Sequence, residues 1–276
     1  MNLVIQGPEV ETRDLKDIAK LAGASAIEAI TPRAFRLRDA KPHPAIATHC
    51  DAVELDYAFL PNTRKLSDVR LCVMDMDSTL ITIECIDEIA DMQGLKPQVA
   101  AITAAAMRGE LDFPQSLRRR VALLKGLDAV ALQRVYDERL KLSPGAQVML
   151  ARFRELGIKT LLLSGGFTFF TGRLKQRLGL DYARSNTLEI VDGKLTGQVV
   201  GEIVDADVKR AALLQVRDEL GLNNGQIIGL GDGANDLKFM AEAGVSVAYH
   251  AKPVVRAQAT HALTYVGLDG VLNLFN

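Results

Sequence analysis

Asp75 and Asp77 stand two residues apart in the run Asp75-Met76-Asp77-Ser78-Thr79. On an extended chain that spacing puts both carboxylates on one side. One could attack an electrophile while the other moves a proton. Taken alone, the pair is equally an Asx turn at a strand end. A second group, Ser164-Gly165-Gly166-Phe167, sets a hydroxyl and two glycines at an expected helix start. Backbone N–H groups exposed there would seat an anion, although a plain helix cap reads the same way. A third group, Gly229-Leu230-Gly231-Asp232-Gly233-Ala234-Asn235-Asp236, holds two acids and an amide on a glycine turn. Such a turn suits a cation or a phosphate.

Gly229, Gly231 and Ala234 also satisfy the loose dinucleotide fingerprint G-x-G-x-x-G/A. That fingerprint asks for an acid about 20 residues further on. The stretch from His250 to His261 contains none, and Asp232 at the tip of the turn would repel a pyrophosphate. The nucleotide reading is set aside.

The elements that must position these groups are legible as an alternation of types. Leu71–Met74, Lys159–Leu163 and Gln226–Leu230 are short apolar runs, as buried parallel strands are. Val245–Ala248 is a fourth. Helices are expected from Ser143-Pro144 to Gly157, from Phe169 to Leu178, from the cap Asp205 to Leu220, and over Asp236–Ala243. Asp192-Gly193 between Thr187–Val191 and Lys194–Val199 predicts a type I′ hairpin. This pattern predicts a doubly wound α/β fold with a parallel sheet. In such sheets ligands bind at the carboxyl ends of strands, and the three groups above follow three apolar strands.

From Ile86 to Leu142 the apolar spacing is helical throughout, punctuated by Gly94, Gly109 and Gly126. This stretch separates the first strand from its next helix and is expected to be an inserted helical cap, at about 84–142. Residues 1–66 read as a small α/β unit of their own. Leu3–Gln6 and Val53–Leu60 are its expected strands and Thr12–Leu21 its helix, with an extended stretch at Ala26–Arg38 and a turn at Lys41–Pro44. The expected division is 1–66 and 67–276.

Composition bounds the function. The chain has 276 residues, 33 Lys+Arg against 34 Asp+Glu and a net charge of −1. There is no electrostatic footprint for nucleic acid or an anionic membrane, so a bound anion needs a local site. Cys50, Cys72 and Cys85 are odd in number without CxxC spacing, which fits a reducing cytoplasm. His43, His49, His250 and His261 fit no ligand spacing. No secretory signal and no run near ~18 apolar residues is found, so a cytoplasmic protein is expected.

Delivered to one sheet edge, Asp75/Asp77, Ser164 and Asp232/Asn235/Asp236 suit phosphoryl transfer. A carboxylate nucleophile and a phosphate repel each other, and a hard divalent cation removes that repulsion. A Lys and a Ser can neutralise the remaining phosphate oxygens. A carboxyl kept protonated by its surroundings can protonate the leaving oxygen.

These runs, with Lys209, resemble the four motifs of the haloacid dehalogenase superfamily. Residues from about 70 to 270 are similar to its branch that hydrolyses O-phospho-L-serine, the last step of serine biosynthesis. That narrower resemblance rests on Glu84 and on Phe113-Pro114-Gln115-Ser116-Leu117-Arg118-Arg119-Arg120-Val121. It implies Asp75 as nucleophile, forming an aspartyl-phosphate, and Asp77 as general acid, then base. It implies Mg²⁺ bound by Asp75, the Asp77 carbonyl and Asp232, with Asp236 in support. Ser164, the Gly165 N–H and Lys209 would hold phosphate, with Asn235 beside it. Glu84 would receive the substrate ammonium and Arg120 its carboxylate, with Phe113 lining the cap side. Choosing Arg120 over Arg118 and Arg119 follows the family pattern. Two rival functions stay open here: a phosphatase for another small phosphomonoester such as phosphohomoserine, and a non-catalytic serine- or phosphate-binding module. Residues 1–66 carry no ligand motif, and packing or homodimerisation is their expected role.

Overall fold

The computed structural model describes residues 1–276. The chain opens with β1 (Asn2–Gln6), α1 (Thr12–Leu21), β2 (Ala26–Thr31), β3 (Ala34–Arg38), α2 (Pro44–Ala52) and β4 (Asp56–Leu60). Next come β5 (Leu71–Asp75), α3 (Cys85–Asp91), α4 (Lys96–Met107), α5 (Phe113–Ala122) and α6 (Val130–Arg134). They are followed by α7 (Ala146–Glu155), β6 (Lys159–Phe167), α8 (Thr168–Leu178), β7 (Tyr182–Val191) and β8 (Lys194–Val200). The last elements are α9 (Ala206–Glu219), β9 (Ile227–Gly231), α10 (Leu237–Met240), β10 (Val245–Tyr249), α11 (Pro253–Arg256) and β11 (His261–Leu263).

Two sheets result. One has four strands in the order β2-β3-β1-β4, and its β1–β3, β1–β4 and β2–β3 pairs are antiparallel. The other has seven strands in the order β11-β10-β9-β5-β6-β7-β8. The pairs β9–β10, β10–β11 and β6–β7 are parallel, while β8 returns antiparallel to β7. The β7–β8 hairpin turns at Asp192 (φ 51°) and Gly193 (φ 74°), the two left-handed residues that a type I′ turn requires.

By contacts the chain forms two compact units. One comprises Met1–Cys72, Ser143–Lys159 and Leu222–Asn276; the other comprises Val73–Leu142 and Thr160–Gly221.

In the first unit the four-stranded sheet packs one face on α1 and α2. Leu3, Ile5, Leu37 and Leu55 meet Leu15, Ile18, Ile46 and Cys50 in a closed core. All of β1 is buried, because the opposite face is covered by residues 264–276. Gln6 donates to the Gly270 carbonyl and accepts from Asn273 Nδ2 at 2.7 Å. Arg36 donates to the Phe275 carbonyl. Asp56 accepts the N–H groups of Thr264, Tyr265 and Val266 at 2.7, 2.9 and 3.1 Å. Burial nevertheless raises the Asp56 carboxyl above its ordinary pKa against the pull of these donors.

In the second unit the β7–β8 hairpin lies against α5. A Cβ on Gly197 would approach the Ala122 carbonyl to 3.2 Å, so the hairpin backbone sits directly on the helix. Asp205 caps α9 by accepting from the N–H groups of Asp207 and Val208, as the sequence predicts.

Two local expectations are corrected. Ser143-Pro144 does not open α7. The helix starts at Ala146 behind Gly145 (φ 76°), and the Pro144 carbonyl accepts from the Leu268 N–H instead. A side chain at Gly145 would collide with Asp269. Ser164–Gly166 is the extended end of β6 rather than a turn: Phe167 pairs with Asn186 of β7 and is itself the N-cap of α8, so the expected helix follows directly at Thr168.

His261 on β11 provides a test of the first unit. Arg64 Nη1 donates to His261 Nε2 at 2.8 Å, which requires a neutral ring. Burial, then the neighbouring guanidinium, lowers the His261 pKa to about 4. Its unfolded value is about 6.5, so this contribution to stability is complete above that pH and is lost as pH falls towards 4. Denaturant titrations from pH 7.5 to 4.5 are expected to show about 2–3 kcal/mol less acid destabilisation in His261→Gln than in the wild type. Equal pH dependence in the two proteins would refute this account.

Candidate active site

Asp75 ends β5 as a buried carboxylate, and Lys209 Nζ lies 2.6 Å from its Oδ1. The Lys209 side chain is only 1% exposed. A buried ammonium persists when a carboxylate pairs with it. Lys209 stands in the first helical turn of α9, and the capped start of that helix fixes its direction.

Past Asp75 the chain does not continue into a regular helix. Asp77 is extended and Ser78 is left-handed (φ 56°, ψ 1°), a conformation that costs a non-glycine residue about 1–3 kcal/mol. The kink lets Ser78 Oγ donate to Glu84 Oε1 at 2.6 Å. It also brings Asp77 back to α3, where the Cys85 N–H donates to Asp77 Oδ1 at 3.0 Å. A helix leaves its first N–H groups without intrahelical partners, and Asp77 supplies an acceptor here. Burial, and then the Glu84 charge, raise the Asp77 pKa to about 7. The Cys85 donors and Lys209 oppose that shift.

Helix α5 supplies a cation. α5 begins with a capping box, in which the Asp112 side chain accepts from the Gln115 N–H and Gln115 reaches back to the Asp112 N–H. This start orients Phe113 and, two turns on, Arg120. The Arg120 Nε is buried with no hydrogen-bond partner. Burial lowers the guanidinium pKa, while Asp87, Glu84 and Asp77 favour its charge. The Phe113 ring points at the glycine loop: a Cβ on Gly165 would lie 2.8 Å from its Cζ.

The glycine-containing end of β6 is shaped by two polar groups. Ser164 Oγ is buried and accepts the Gly166 N–H at 2.8 Å. Asn186 Nδ2 donates to the Gly165 carbonyl, and Asn186 Oδ1 accepts the Val204 N–H, each at 2.8 Å. Asn186 is 1% exposed; it stands just before the Thr187–Val191 strand that the sequence predicts, and its residue type alone carries no signal of a site. A Cβ on Gly166 would lie 2.7 Å from Asp77 Oδ2 and 3.0 Å from Ser164 Oγ. Gly166 is therefore required by close approach.

In the first unit, the turn after β9 is built on Asp236, which is fully buried. Its Oδ2 accepts the Gly233 N–H at 3.1 Å, and its Oδ1 accepts from Asn235 Nδ2 at 3.3 Å. A Cβ on Gly231 would meet the Asp236 side chain at 2.6 Å. Asp232 is half-buried, and its carbonyl accepts the Lys252 N–H. Asp232 and Asp236 set two carboxylates on this one turn. Hard oxygen donors of this kind suit a small divalent cation, and the donor set fits Mg²⁺.

A carboxylate paired with a buried lysine, a second carboxyl held near neutrality, and an acidic cluster lie at the ends of strands in an α/β fold. The chain belongs to the haloacid dehalogenase-like hydrolase family, whose pattern matches residues 69–244. A domain family of unknown function matches residues 3–46. A phosphoserine phosphatase from Polaromonas sp. (strain JS666) is 56% identical over 215 residues, 76% of this chain and 91% of that one. A crystal structure of a probable phosphoserine phosphatase from Vibrio cholerae, unliganded, aligns with a TM-score of 0.87 at 41% identity, over 99% of this chain and 86% of that one. A phospho-aspartyl intermediate analogue of phosphoserine phosphatase aligns with a TM-score of 0.71 at 36% identity, over 75% of this chain and 99% of that one. No helix here is long and apolar enough to cross a membrane.

The Gly166 contact generates a prediction. Gly166→Ala is expected to lower phosphatase turnover by roughly 100-fold, because its methyl displaces Asp77 and Ser164 by about an ångström. Steady-state rates, with circular dichroism as the fold control, check it. Activity within threefold of wild type would contradict the close approach.

Proposed function

We propose that the protein hydrolyses O-phospho-L-serine to L-serine and phosphate through a phosphorylated Asp75. The observation that carries the substrate assignment is the half-buried Arg120, whose buried Nε has no partner, near the acids Asp87, Glu84 and Asp77. A guanidinium with open donors receives a carboxylate, and an acid beside it receives an ammonium. Phosphoserine presents both groups on the carbon skeleton that carries its phosphate. A phosphatase for a simple phosphomonoester would need neither receptor.

The chain's own residues account for each part of the reaction. A carboxylate oxygen of Asp75 attacks phosphorus, and the Lys209 ammonium beside it offsets the crowding of negative charge. Ser164 Oγ and the Gly165 N–H hold phosphoryl oxygens, and Asn235 lies beside them. Asp77, protonated as its surroundings favour, gives its proton to the departing seryl oxygen and then takes one from the attacking water. Phe113 closes the cap side of the substrate. Mg²⁺ would be held by Asp75, the Asp77 carbonyl and Asp232, with Asp236 in support, and would neutralise charge between nucleophile and phosphate.

The same reading treats residues 67–276 as the phosphatase domain with its cap at 84–142. It gives residues 1–66 a packing or homodimerising role and the protein a cytoplasmic location.

A phosphate-release screen over small phosphomonoesters, with and without Mg²⁺, tests the reading. O-phospho-L-serine is expected to be turned over best, and chelation of the metal to abolish turnover. Asp75→Asn is expected to remove activity while circular dichroism stays unchanged. Residual activity near wild type would overturn the nucleophile. Arg120→Ala is expected to raise KM for phosphoserine at least roughly tenfold, the value of one charge-assisted hydrogen bond, and KM for an aryl phosphate less than threefold. Equal rises would sink the amino-acid assignment.

A further inference from the structure

Asn186 links two elements, the glycine-containing end of β6 and the start of α9. Between the pairs Leu163–Arg184 and Phe167–Asn186, β6 runs over three residues where β7 has one. Ser164, Gly165 and Gly166 therefore swell out of the ladder, and such a bulge leaves backbone groups in need of other partners. The Gly165 carbonyl and the Gly166 N–H belong to one planar peptide unit. Asn186 Nδ2 donates to that carbonyl and the N–H donates to Ser164 Oγ, each at 2.8 Å, so the unit is held at both ends. The other end of the Asn186 amide accepts the Val204 N–H at 2.8 Å. Val204 precedes Asp205, the cap of α9, and the Lys209 N–H donates to the Asp205 carbonyl at 2.9 Å in the first turn. The residues on either side fix the direction of Asn186. Ser185 Oγ shares a hydrogen bond of 2.7 Å with Thr171 Oγ1, and Thr187 Oγ1 accepts one of 3.4 Å from Thr168 Oγ1, both on α8. Side chains alternate along a strand, so Asn186 points to the other side.

We propose that Asn186 is a positioning residue for the phosphoryl group, holding the Gly165–Gly166 peptide and the start of α9 at one fixed separation. The proposal rests on the phosphatase reading above, in which Ser164, the Gly165 N–H and Lys209 hold phosphoryl oxygens. Ser164 Oγ accepts the Gly166 N–H, so its own proton is directed elsewhere, towards an acceptor such as a phosphoryl oxygen. A rotated peptide would withdraw that N–H and leave the hydroxyl free to turn. Lys209 comes from a different element, and its distance from Ser164 is kept only if the two elements are tied together. A primary amide suits this task, with donors at one end of a rigid plane and an acceptor at the other. Asn186 is 1% exposed, so water does not stand in for either bond. Its effect falls on groups that meet phosphate and not on those assigned to the rest of the substrate. The consequence is therefore common to every phosphomonoester.

Inorganic phosphate is the probe that separates this role from packing. Asn186→Leu removes both hydrogen bonds with little change in volume and adds no charge. In the presence of Mg²⁺ it is expected to raise the calorimetric Kd for inorganic phosphate roughly tenfold, the weight of one buried hydrogen bond. The ratio kcat/KM is expected to fall by a similar factor on O-phospho-L-serine and on 4-nitrophenyl phosphate. Asn186→Ser, whose hydroxyl is too short to span both partners, is expected to raise Kd in the same direction, and it carries the test if Asn186→Leu does not fold. Ser185→Ala, which loosens the same strand from α8, is expected to leave Kd within roughly twofold, since its hydroxyl faces away from the bulge. Thermal unfolding of the three variants monitors the fold. An unchanged Kd in the folded Asn186 variants, a Kd raised as much by Ser185→Ala, or a loss confined to one of the two esters would each overturn the proposal. If the wild type hydrolyses 4-nitrophenyl phosphate but not phosphoserine, the substrate reading fails by itself. The Kd for inorganic phosphate then still decides the role of Asn186.

Discussion

The ion pair between Lys209 and Asp75 is the constraint around which the second unit is built. Removing two charges from water is expensive, and their attraction repays it only at short distance with fixed partners. The 2.6 Å separation therefore demands that a strand end and a helix start be placed within a fraction of an ångström. The buried core of β5 fixes one, and the Asp205 cap fixes the other. The pair also separates the roles of two acids with the same side chain. Asp75 has a cation against it, while Asp77, two residues on, is half-buried near Glu84 and holds its proton more tightly. In the proposed reaction, environment rather than residue type makes one the nucleophile and the other the acid.

Around that pair, each reacting group is held by neighbours that do not react. Ser78 adopts a left-handed turn and steadies Glu84, Asn186 pins the glycine loop, and Asp236 closes the turn that carries Asp232. The strain at Ser78 and the missing side chains at Gly166 and Gly231 are what such close packing requires. Groups fixed in advance lose little freedom during the reaction, the basis of electrostatic preorganisation.

The features legible in the sequence were those with local causes. The Asp192-Gly193 hairpin, the Asp205 cap and the apolar runs of β5, β6 and β9 need only their neighbours in the chain to be recognised. So does the D-x-D pair once other strand ends corroborate it. What escaped was decided at a distance. Ser143-Pro144 has the local form of a helix start, but Leu268 claims the Pro144 carbonyl. Ser164-Gly165-Gly166 looks like a turn into a helix until Asn186, on the next strand, keeps it extended. The buried positions of α2, Ile46 and Cys50, are too few to show a period in the sequence, and the helix forms by covering Leu3 and Leu55. Asn186 itself is unremarkable as a residue type, and only its two partners make it part of the site.

The burial of β1 on both faces sets an order of events during synthesis. Leu3 and Ile5 can find α1 and α2 as soon as about the first sixty residues have emerged. Gln6, Arg36 and Asp56 wait for residues 264–276, made some two hundred residues later. Closing so long a loop carries an entropy penalty that grows only slowly with length, but until it closes these polar groups have only water as partner. On the ribosome the four-stranded sheet is therefore half finished until residues 264–276 emerge, with one face exposed to whatever else is nearby. A segment made late completes a sheet begun early.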